Sequence, residues 1–303
     1  MVRTSMTIEP RQLFSAHTLD YPVKTRVLGK TNYVNLDNAA TTPPLISVAK
    51  AVDDFLVSYG SVHRGAGTKS KLSTEYYERS REIIKKFVGA PHNSYVLFGA
   101  NTTGAMNALA YFMAFLPGKI AVSSLEHSSS WLSWVKAEGV KAVNGETASL
   151  SEIEKLNQKI QSAGHAQVLQ YGINEQMEID FEELEEMLKH NEIKAVVVTA
   201  SSNLTGYCPD LGRVSGLAHQ YGAYVVVDGC QYIQHHAIDM AALGIDFLIA
   251  SGHKLYAPYG TGFTVGPKDF FDAFLPYQIG GGNLPYITTG GEFIRATTQL
   301  AHD

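Results

Sequence analysis

Short apolar runs alternate with longer amphipathic segments along most of the chain. Runs rich in β-branched and other apolar residues predict strands at Tyr33–Leu36, Tyr95–Phe98, Ile120–Ser123, Ala195–Ala200, Ala223–Val227, Asp246–Ala250 and Gly262–Val265. Between them, helical periodicity predicts helices at Pro43–Ser58, Leu72–Val88, Thr103–Leu116, Ser129–Glu138, Ser149–Ala163, Asp180–His190, Gly212–Tyr221 and Met240–Leu243. This order predicts an α/β fold with a mostly parallel sheet, because parallel neighbours are joined by helical crossovers.

Two of the predicted strands end in groups with distinctive chemistry. Asp228 ends the run Ala223–Val227, and Ser251-Gly252-His253-Lys254 follows Asp246–Ala250. Ligands of parallel α/β sheets bind at the carboxyl ends of strands. A lysine that forms a Schiff base and a carboxylate that keeps a pyridine nitrogen protonated are what pyridoxal 5'-phosphate requires. Because Lys254 lies between a strand and a turn, we expect a partly buried amine rather than a solvated surface charge.

Other strand ends carry polar residues that allow more than one interpretation. Thr102 and Thr103 open a predicted helix, where hydroxyls and free N–H groups can bind a phosphate or Thr102 can simply cap the helix. His127 can stack on a ring or be an ordinary loop histidine. Asn203 can donate to a ring oxygen or stabilise a turn, and Gln231 can reach a phenolic oxygen.

Composition narrows the class of protein. The 24 Lys and Arg residues and the 29 Asp and Glu residues of the 303-residue chain give a net charge of −5. Without a basic tract that interleaves with aromatic residues, we expect no nucleic-acid partner. Without an apolar run of membrane-span length or a signal peptide, we expect no membrane contact and a cytoplasmic location. Two cysteines predict no disulfide framework, and the motifs predict no metal site.

Six motifs occur together in one order along the chain. They are Asn38-Ala39-Ala40-Thr41-Thr42, Val62-His63-Arg64-Gly65, Glu126-His127, Ser202-Asn203-Leu204-Thr205-Gly206, Asp228-Gly229-Cys230-Gln231 and Ser251-Gly252-His253-Lys254-Leu255-Tyr256. This set resembles the class V aminotransferase-fold enzymes, most closely the SufS-type branch of cysteine desulfurases and selenocysteine lyases. The resemblance implies a three-layer, aspartate aminotransferase-like large domain that binds pyridoxal 5'-phosphate over residues 33–303, preceded by an N-terminal arm at residues 1–32.

The resemblance also implies what individual residues do around the cofactor ring. Lys254 is implied to be the catalytic lysine, which forms the Schiff base and removes the proton from the substrate Cα. Asp228 is implied to pair with the ring nitrogen and Gln231 to bond the phenolic oxygen. His127 is implied to stack on the ring, and Asn203 to lie near the ring and the substrate carboxylate.

Further residues are implied to hold the phosphate and the substrate. Thr102 and Thr103 are implied to hold the phosphate together with Ser251 and His253. The residues implied to line the substrate side are Asn38, Ala39, His63 and Arg64. The substrate is expected to be a small amino acid whose identity the sequence does not specify. Cys230 stands where the family commonly has alanine, and we interpret it as a small buried residue.

The same resemblance leads to expectations about assembly and activity. We expect a homodimer, to which Gly280–Asn283 can contribute. The sequence leaves open whether a sulfur-acceptor protein is a second partner. Family members usually continue into a C-terminal small domain, so we expect that domain, with its nucleophilic cysteine, to be absent from this chain. Three hypotheses stay open: a poorly active desulfurase-like enzyme, a non-catalytic domain that binds the cofactor, and a class V lyase or epimerase that needs no cysteine.

Overall fold

The structure, a computed structural model, describes residues 13–14, 21–278, 286–287 and 293–294. The chain divides into two compact units, Met1–Tyr77 with Gly252–Gly260, and Glu78–Ser251 with Thr261–Asp303. The predicted division into an arm at residues 1–32 and a large domain at residues 33–303 stays a prediction. Gly280–Asn283 lies outside the described residues.

The second unit contains a seven-stranded mixed sheet. Its strands are β3 (Ser94–Gly99), β4 (Lys119–Ser123), β5 (Val168–Tyr171), β6 (Ile193–Thr199), β7 (Tyr224–Asp228), β8 (Phe247–Ser251) and β9 (Gly262–Pro267). Their order across the sheet is β3-β9-β8-β7-β6-β4-β5. Only β9 runs against its neighbours β3 and β8, and the pairs from β8 to β5 are parallel. The predicted α/β fold with a mostly parallel sheet is therefore confirmed.

Helices of the second unit cover this sheet. They are α3 (Thr102–Met113), α4 (Ser128–Ala142), α5 (Ile153–Gln167), α6 (Phe181–His190), α7 (Leu211–Gln220), α8 (Met240–Leu243) and α9 (Lys268–Asp272). Every residue of β6 and β8 is buried, as expected for parallel strands with both faces covered. The core joins α3 side chains such as Met106 and Phe112 to Val197 and Phe247 of the sheet.

Helices α4 and α5 pack backbone to backbone at two glycines. A Cβ atom on Gly139 would lie 2.0 Å from the carbonyl oxygen of Ile160, and one on Gly164 would lie 1.9 Å from that of Val135. Real Cβ atoms essentially never approach other atoms below 3.0 Å. The close approach of the two helices therefore requires glycine at both positions.

The first unit contains a hairpin and the start of the helical region. Strands β1 (Pro22–Thr25) and β2 (Gly29–Asn32) pair antiparallel. Helix α1 (Ile46–Leu56) follows, and helix α2 (Thr68–Phe87) begins in this unit. A short 3-10 turn, Gly252–Lys254, also belongs to it. Separately, β10 (Tyr286–Ile287) pairs antiparallel with β11 (Phe293–Ile294). Among the described residues, no helix is both long and apolar enough to cross a membrane.

Two sequence-based predictions of secondary structure were wrong in detail, and one strand of the large sheet was missed. Tyr33–Leu36 is not a strand: Val34 is 72% and Leu36 is 91% exposed, and the Asn35 side chain accepts from the Asp37 N–H in a turn. Pro43 and Pro44 do not open α1, which begins at Ile46. Strand β5 was missed because its four residues directly follow a helical pattern.

Candidate active site

Asp228 is a buried carboxylate at the end of β7. It is 5% exposed, and its Oδ1 atom accepts a hydrogen bond of 2.9 Å from the backbone N–H of Cys230. No lysine, arginine or histidine among the described residues forms a salt bridge with it. Burial of a charge without a counterion is costly. A cationic ring nitrogen would offset that cost, so Asp228 fits the cofactor that the resemblance implies.

A buried cluster of two hydroxyls and one thiol, here called the hydroxyl–thiol cluster, lies at the start of α3. Thr102 Oγ1 shares hydrogen bonds of 2.7 Å with Ser251 Oγ and with Cys230 Sγ, and the Thr102 N–H donates to Ser251 Oγ at 2.8 Å. The three residues are 7%, 2% and 8% exposed. The cluster joins the ends of β7 and β8 to a helix N-terminus, where backbone N–H groups favour an anion.

The helix cap at this site is Asn101 rather than Thr102. Asn101 Oδ1 accepts from the Gly104 N–H at 2.8 Å. The capping interpretation of Thr102 is therefore wrong, and its hydroxyl belongs to the hydroxyl–thiol cluster. Gly262 makes this arrangement possible, since a Cβ atom there would lie 2.6 Å from the carbonyl carbon of Asn101. Only glycine lets β9 approach the loop so closely.

Thr103 faces different surroundings from Thr102. It is exposed and lines a cleft of about 550 Å³ together with Gly99, Ala100, Lys136 and other residues of the second unit. Neither Asp228 nor Ser251 lines this cleft. Consecutive residues of a helix point about 100° apart, which explains why the two threonines do not share one environment.

Glu126 and His127 lie in the loop between β4 and α4. His127 is exposed and is the N-cap of α4: its Nδ1 atom accepts from the Ser129 N–H at 3.2 Å and lies 2.7 Å from Ser129 Oγ. Since a backbone N–H can only donate, Nδ1 is the acceptor and the ring proton of a neutral His127 is on Nε2. The contacts of Nδ1 with Ser129, in the first turn of α4, therefore fix the orientation of the His127 ring.

Glu126 has a desolvated carboxyl group close to Asp228. Its Oε2 atom accepts from Ser130 Oγ at 2.8 Å, and its Oε1 atom accepts from the backbone N–H of Thr199. Burial, and secondarily the nearby charge of Asp228, raises the pKa of Glu126 to about 8. The motif Glu126-His127 was noted in the sequence, but no role was predicted for the glutamate.

The remaining predicted residues of the second unit lie in strand-end turns. Ser202 makes the turn that contains Asn203, because its Oγ atom accepts from the N–H groups of Leu204 and Thr205. The exposed Asn203 side chain is therefore not what caps this turn. Gln231 is half-buried, and its Oε1 atom accepts from Gln234 Nε2 at 3.3 Å.

His253 and Lys254 lie in the 3-10 turn of the first unit. The His253 carbonyl accepts from the Thr42 N–H at 3.0 Å and from the hydroxyls of Thr41 and Thr42. Burial, and secondarily the charge of Lys254, lowers the pKa of His253. Lys254 is half-buried, as predicted. The turn is thus held by the threonines of the Asn38–Thr42 motif, a contribution that the sequence did not reveal.

The residues predicted for the substrate side are all exposed. Asn38 Oδ1 accepts from Asn35 Nδ2 at 2.7 Å, and Ala39 follows in the same turn. His63 has a positive φ of 57°, and its N–H donates to Thr74 Oγ1 at 2.9 Å. Arg64 follows it on the surface. Left-handed backbone at a residue other than glycine stores strain and is concentrated at functional sites.

Within the second unit, the structure therefore brings Thr102 into direct contact with both Cys230 and Ser251, and it places Glu126 near enough to Asp228 for the charge of Asp228 to raise the pKa of Glu126. Within the first unit, it groups His253 with Thr41 and Thr42. Along the chain, Lys254 follows Ser251 by three positions.

Comparisons with known proteins agree with this chemistry. A family model for class V aminotransferases matches residues 34–163 and 153–295. The chain is similar to a probable cysteine desulfurase of Halalkalibacterium halodurans, with 30% identity over 272 residues, and to the cysteine desulfurase CsdA of Escherichia coli K12, with 32% over 273 residues. Each match covers 88% of this chain and 61% of the relative. The structure of a cysteine desulfurase from Thermococcus onnurineus NA1 matches with a TM-score of 0.71 and 27% identity, over 88% of this chain and 61% of that one.

Proposed function

The chain belongs to the class V aminotransferase family, and we propose that it binds pyridoxal 5'-phosphate through Lys254 and acts on an amino acid in the manner of a cysteine desulfurase. The observation that carries this proposal is the Asp228 carboxylate, which is 5% exposed and has no salt bridge within the part of the chain that the structure describes. A protonated pyridine nitrogen would supply the positive charge that this carboxylate does not meet in a salt bridge.

Each predicted residue has a part in holding the cofactor. Asp228 pairs with the ring nitrogen, and Gln231 bonds the phenolic oxygen. His127 covers one face of the ring, with its orientation set by Ser129. Thr102 and Ser251 bind the phosphate from the hydroxyl–thiol cluster. When bound, the cofactor withdraws electrons from the substrate Cα.

The other phosphate and substrate contacts come from less buried residues. Thr103 and His253 complete the phosphate contacts, and the lowered pKa of His253 leaves its ring neutral and able to donate one hydrogen bond near pH 7. Asn203 binds the substrate carboxylate. The surface residues that line the substrate side are Asn38, Ala39, His63 and Arg64.

Lys254 is the catalytic group of the proposed reaction. Its Nζ atom would hold the cofactor covalently, and the same amine would accept the proton from the substrate Cα. The half-buried position of the side chain supports this role, since an amine with less hydration is a better nucleophile.

We further propose which amino acid is the substrate and what happens to its sulfur. The names of the relatives support L-cysteine as substrate and transfer of its sulfur to an acceptor protein. The chain spans about three fifths of the length of these relatives. Of the two cysteines, Cys230 is buried in the hydroxyl–thiol cluster and Cys208 is an exposed residue of the loop before α7. We expect little alanine release from this chain alone, because neither cysteine is the nucleophile that the resemblance implies. A homodimer and a cytoplasmic location complete the proposal.

Cofactor titration tests the core of the proposal. Addition of pyridoxal 5'-phosphate to the purified chain is expected to produce a visible absorption band, and borohydride reduction followed by peptide mass spectrometry is expected to find the label on Lys254. Lys254→Ala should abolish band and label, whereas Lys155→Ala, a change at an exposed lysine of α5, should leave both intact. A wild-type chain that stays colourless, or a label on other lysines, would contradict the proposal.

A second assay addresses the reaction class. Alanine formed from L-cysteine in the presence of a thiol reductant measures desulfurase turnover directly. Cofactor binding together with negligible alanine would identify a binding domain that does not turn over by itself. Alanine release that survives substitution of both cysteines by serine would argue against a cysteine nucleophile.

A further inference from the structure

Glu126 connects three elements around the candidate site. It follows β4 in the chain, its Oε1 atom accepts from the Thr199 N–H at the end of β6, and its Oε2 atom accepts from Ser130 Oγ in the first turn of α4. The next residue, His127, caps α4. The Glu126 side chain thus fastens the loop that carries His127 to the carboxyl end of β6.

The end of β6, to which Glu126 is bonded, lies next to Asp228 at the end of β7. Thr199 and Asp228 are register partners in the β6–β7 pair, and the Ala200 N–H donates to the Asp228 carbonyl at 2.9 Å. Glu126 is therefore tethered one strand away from the carboxylate that is proposed to hold the cofactor ring.

The charges around Glu126 favour its uncharged form. Asp228 on β7 is the charged neighbour, and Tyr171 on β5 is a further titratable group whose pKa is raised well above its ordinary range by burial and by Glu126. Thr199 and Ser130 contribute only neutral donors. Within the described part of the chain, no salt bridge reaches Glu126. Asp228 is buried and Glu126 is half-buried, and two nearby carboxyls that have lost water and have no cation cannot both ionise cheaply.

We propose that Glu126 is a positioning residue that fixes the His127 loop against the strand end beside Asp228 and that, as a neutral acid, it leaves Asp228 the single negative charge of the pair. The inference rests on the proposed function, in which His127 covers the ring and Asp228 meets its nitrogen. A neutral Glu126 keeps both tethers, since its carbonyl oxygen accepts from the Thr199 N–H and its hydroxyl donates to Ser130 Oγ.

The substitution Glu126→Gln separates charge from tethering. A glutamine amide can accept from the Thr199 N–H and donate to Ser130 Oγ, so it imitates the neutral acid. Glu126→Ala removes both tethers. Glu183→Gln is a matched control, because Glu183 Oε2 also accepts from a backbone N–H, that of Gly172 at 2.7 Å, but from an exposed position.

The first measurement uses the apoprotein and needs no cofactor. A pKa raised to about 8 in the folded protein means that, between pH 4.5 and 8, the native state holds a proton that the unfolded chain has released. The stability of the wild type therefore falls as pH rises through this window. The ratio of the unfolding equilibrium constant of the wild type to that of Glu126→Gln should rise at least about tenfold between pH 5 and 9. The same ratio for the wild type and Glu183→Gln should stay constant over this range.

Two outcomes overturn the charge part of the inference. One is a pH-independent difference between the wild type and Glu126→Gln. The other is found by carbon NMR of the wild type with labelled glutamate carboxyls, which needs no variant: titration of every glutamate below pH 6 refutes a neutral Glu126.

The second measurement addresses positioning. At pH 7.5, Glu126→Gln should bind pyridoxal 5'-phosphate within about threefold of the wild type, and Glu126→Ala at least about tenfold more weakly, with altered circular dichroism of the visible band. Equal affinities and spectra for Glu126→Ala and the wild type refute the positioning role. If the wild type itself binds no cofactor, the proposed function fails, and the apoprotein measurement still decides the state of Glu126.

Discussion

Gly164→Ala should destabilise the second unit by forcing α4 away from α5. The added Cβ atom would lie 1.9 Å from the carbonyl oxygen and 2.8 Å from the carbonyl carbon of Val135. To reach even 3.0 Å from the oxygen, the two backbones must separate by about 1 Å. Because the obstacle is backbone, it cannot be relieved by a change of rotamer. Overpacking of this kind costs about 1–3 kcal/mol or more.

The net effect includes an opposing contribution. Because no side chain can move aside to relieve the contact, we place the cost at the upper end of that range, about 3 kcal/mol. Alanine is favoured over glycine in a helix interior by about 1 kcal/mol, so we expect a net loss of about 2 kcal/mol. At about 2–4 °C per kcal/mol for a domain of about 150–250 residues, the melting temperature should fall by about 4–8 °C. Thermal unfolding followed by circular dichroism measures this shift.

Gly216→Ala is the matched control for this prediction. Gly216 lies in α7, and a Cβ atom there would meet nothing within 4 Å. The same substitution should therefore stabilise α7 by about 0.5–1 kcal/mol. If Gly164→Ala melts at or above the temperature of Gly216→Ala, the backbone contact between α4 and α5 does not exist as described.

Three further predictions concern the site and the helices around it. Thr102→Val removes a buried hydroxyl from two hydrogen bonds and should lower the free energy of unfolding in urea by about 1–2 kcal/mol. Thr103→Val at an exposed position should change it by less than about 0.5 kcal/mol. Equal losses for the two variants would refute the different surroundings of the two threonines. Asp180→Ala removes the cap that accepts from two N–H groups of α6 and should lower the free energy of unfolding by about 1 kcal/mol. An unchanged midpoint in urea would contradict the stabilising contribution of this cap. The lowered pKa of His253 means that the native state disfavours its protonation, so the free energy of unfolding should fall as pH drops below 6.5. His253→Gln should weaken that fall in acid titrations. An acid profile identical to that of the wild type would refute a contribution of His253.

Much of the fold could be predicted because the local patterns agree with the tertiary structure. The buried strands β6, β7 and β8 contain the apolar runs Ala195–Val198, Val225–Val227 and Phe247–Ala250, and the predicted helix Asp180–His190 agrees with α6 to within its N-cap residue. Prediction was wrong where tertiary contacts outweighed local preference. Pro43 and Pro44 suggested a helix start, but Thr42 and Leu45 donate to the carbonyls of His253 and Tyr256, which holds this segment outside α1.

The candidate site also has features that the sequence predicted and features that it did not reveal. The order of the motifs predicted which residues cluster at strand ends, and the contact of Thr102 with Ser251 agrees with it. The sequence did not reveal that Thr102 and Thr103 face different surroundings, because helix phase depends on where the helix starts. It also did not reveal the contribution of Glu126, since a glutamate in a loop is ordinarily solvated.

The sequence by itself determined the alternation of strands and helices, the family resemblance and the identity of the chemical groups at the strand ends, because these depend on local periodicity and on residue type. Only the tertiary structure decided which groups lose their water and which share a hydrogen bond. Asp228 is buried without a salt bridge among the described residues, its charge reaches Glu126, and Thr102 bonds both Cys230 and Ser251. The reason is physical: burial and charge pairing arise between residues far apart in the chain, so they follow from the packing of the strands and not from any one segment.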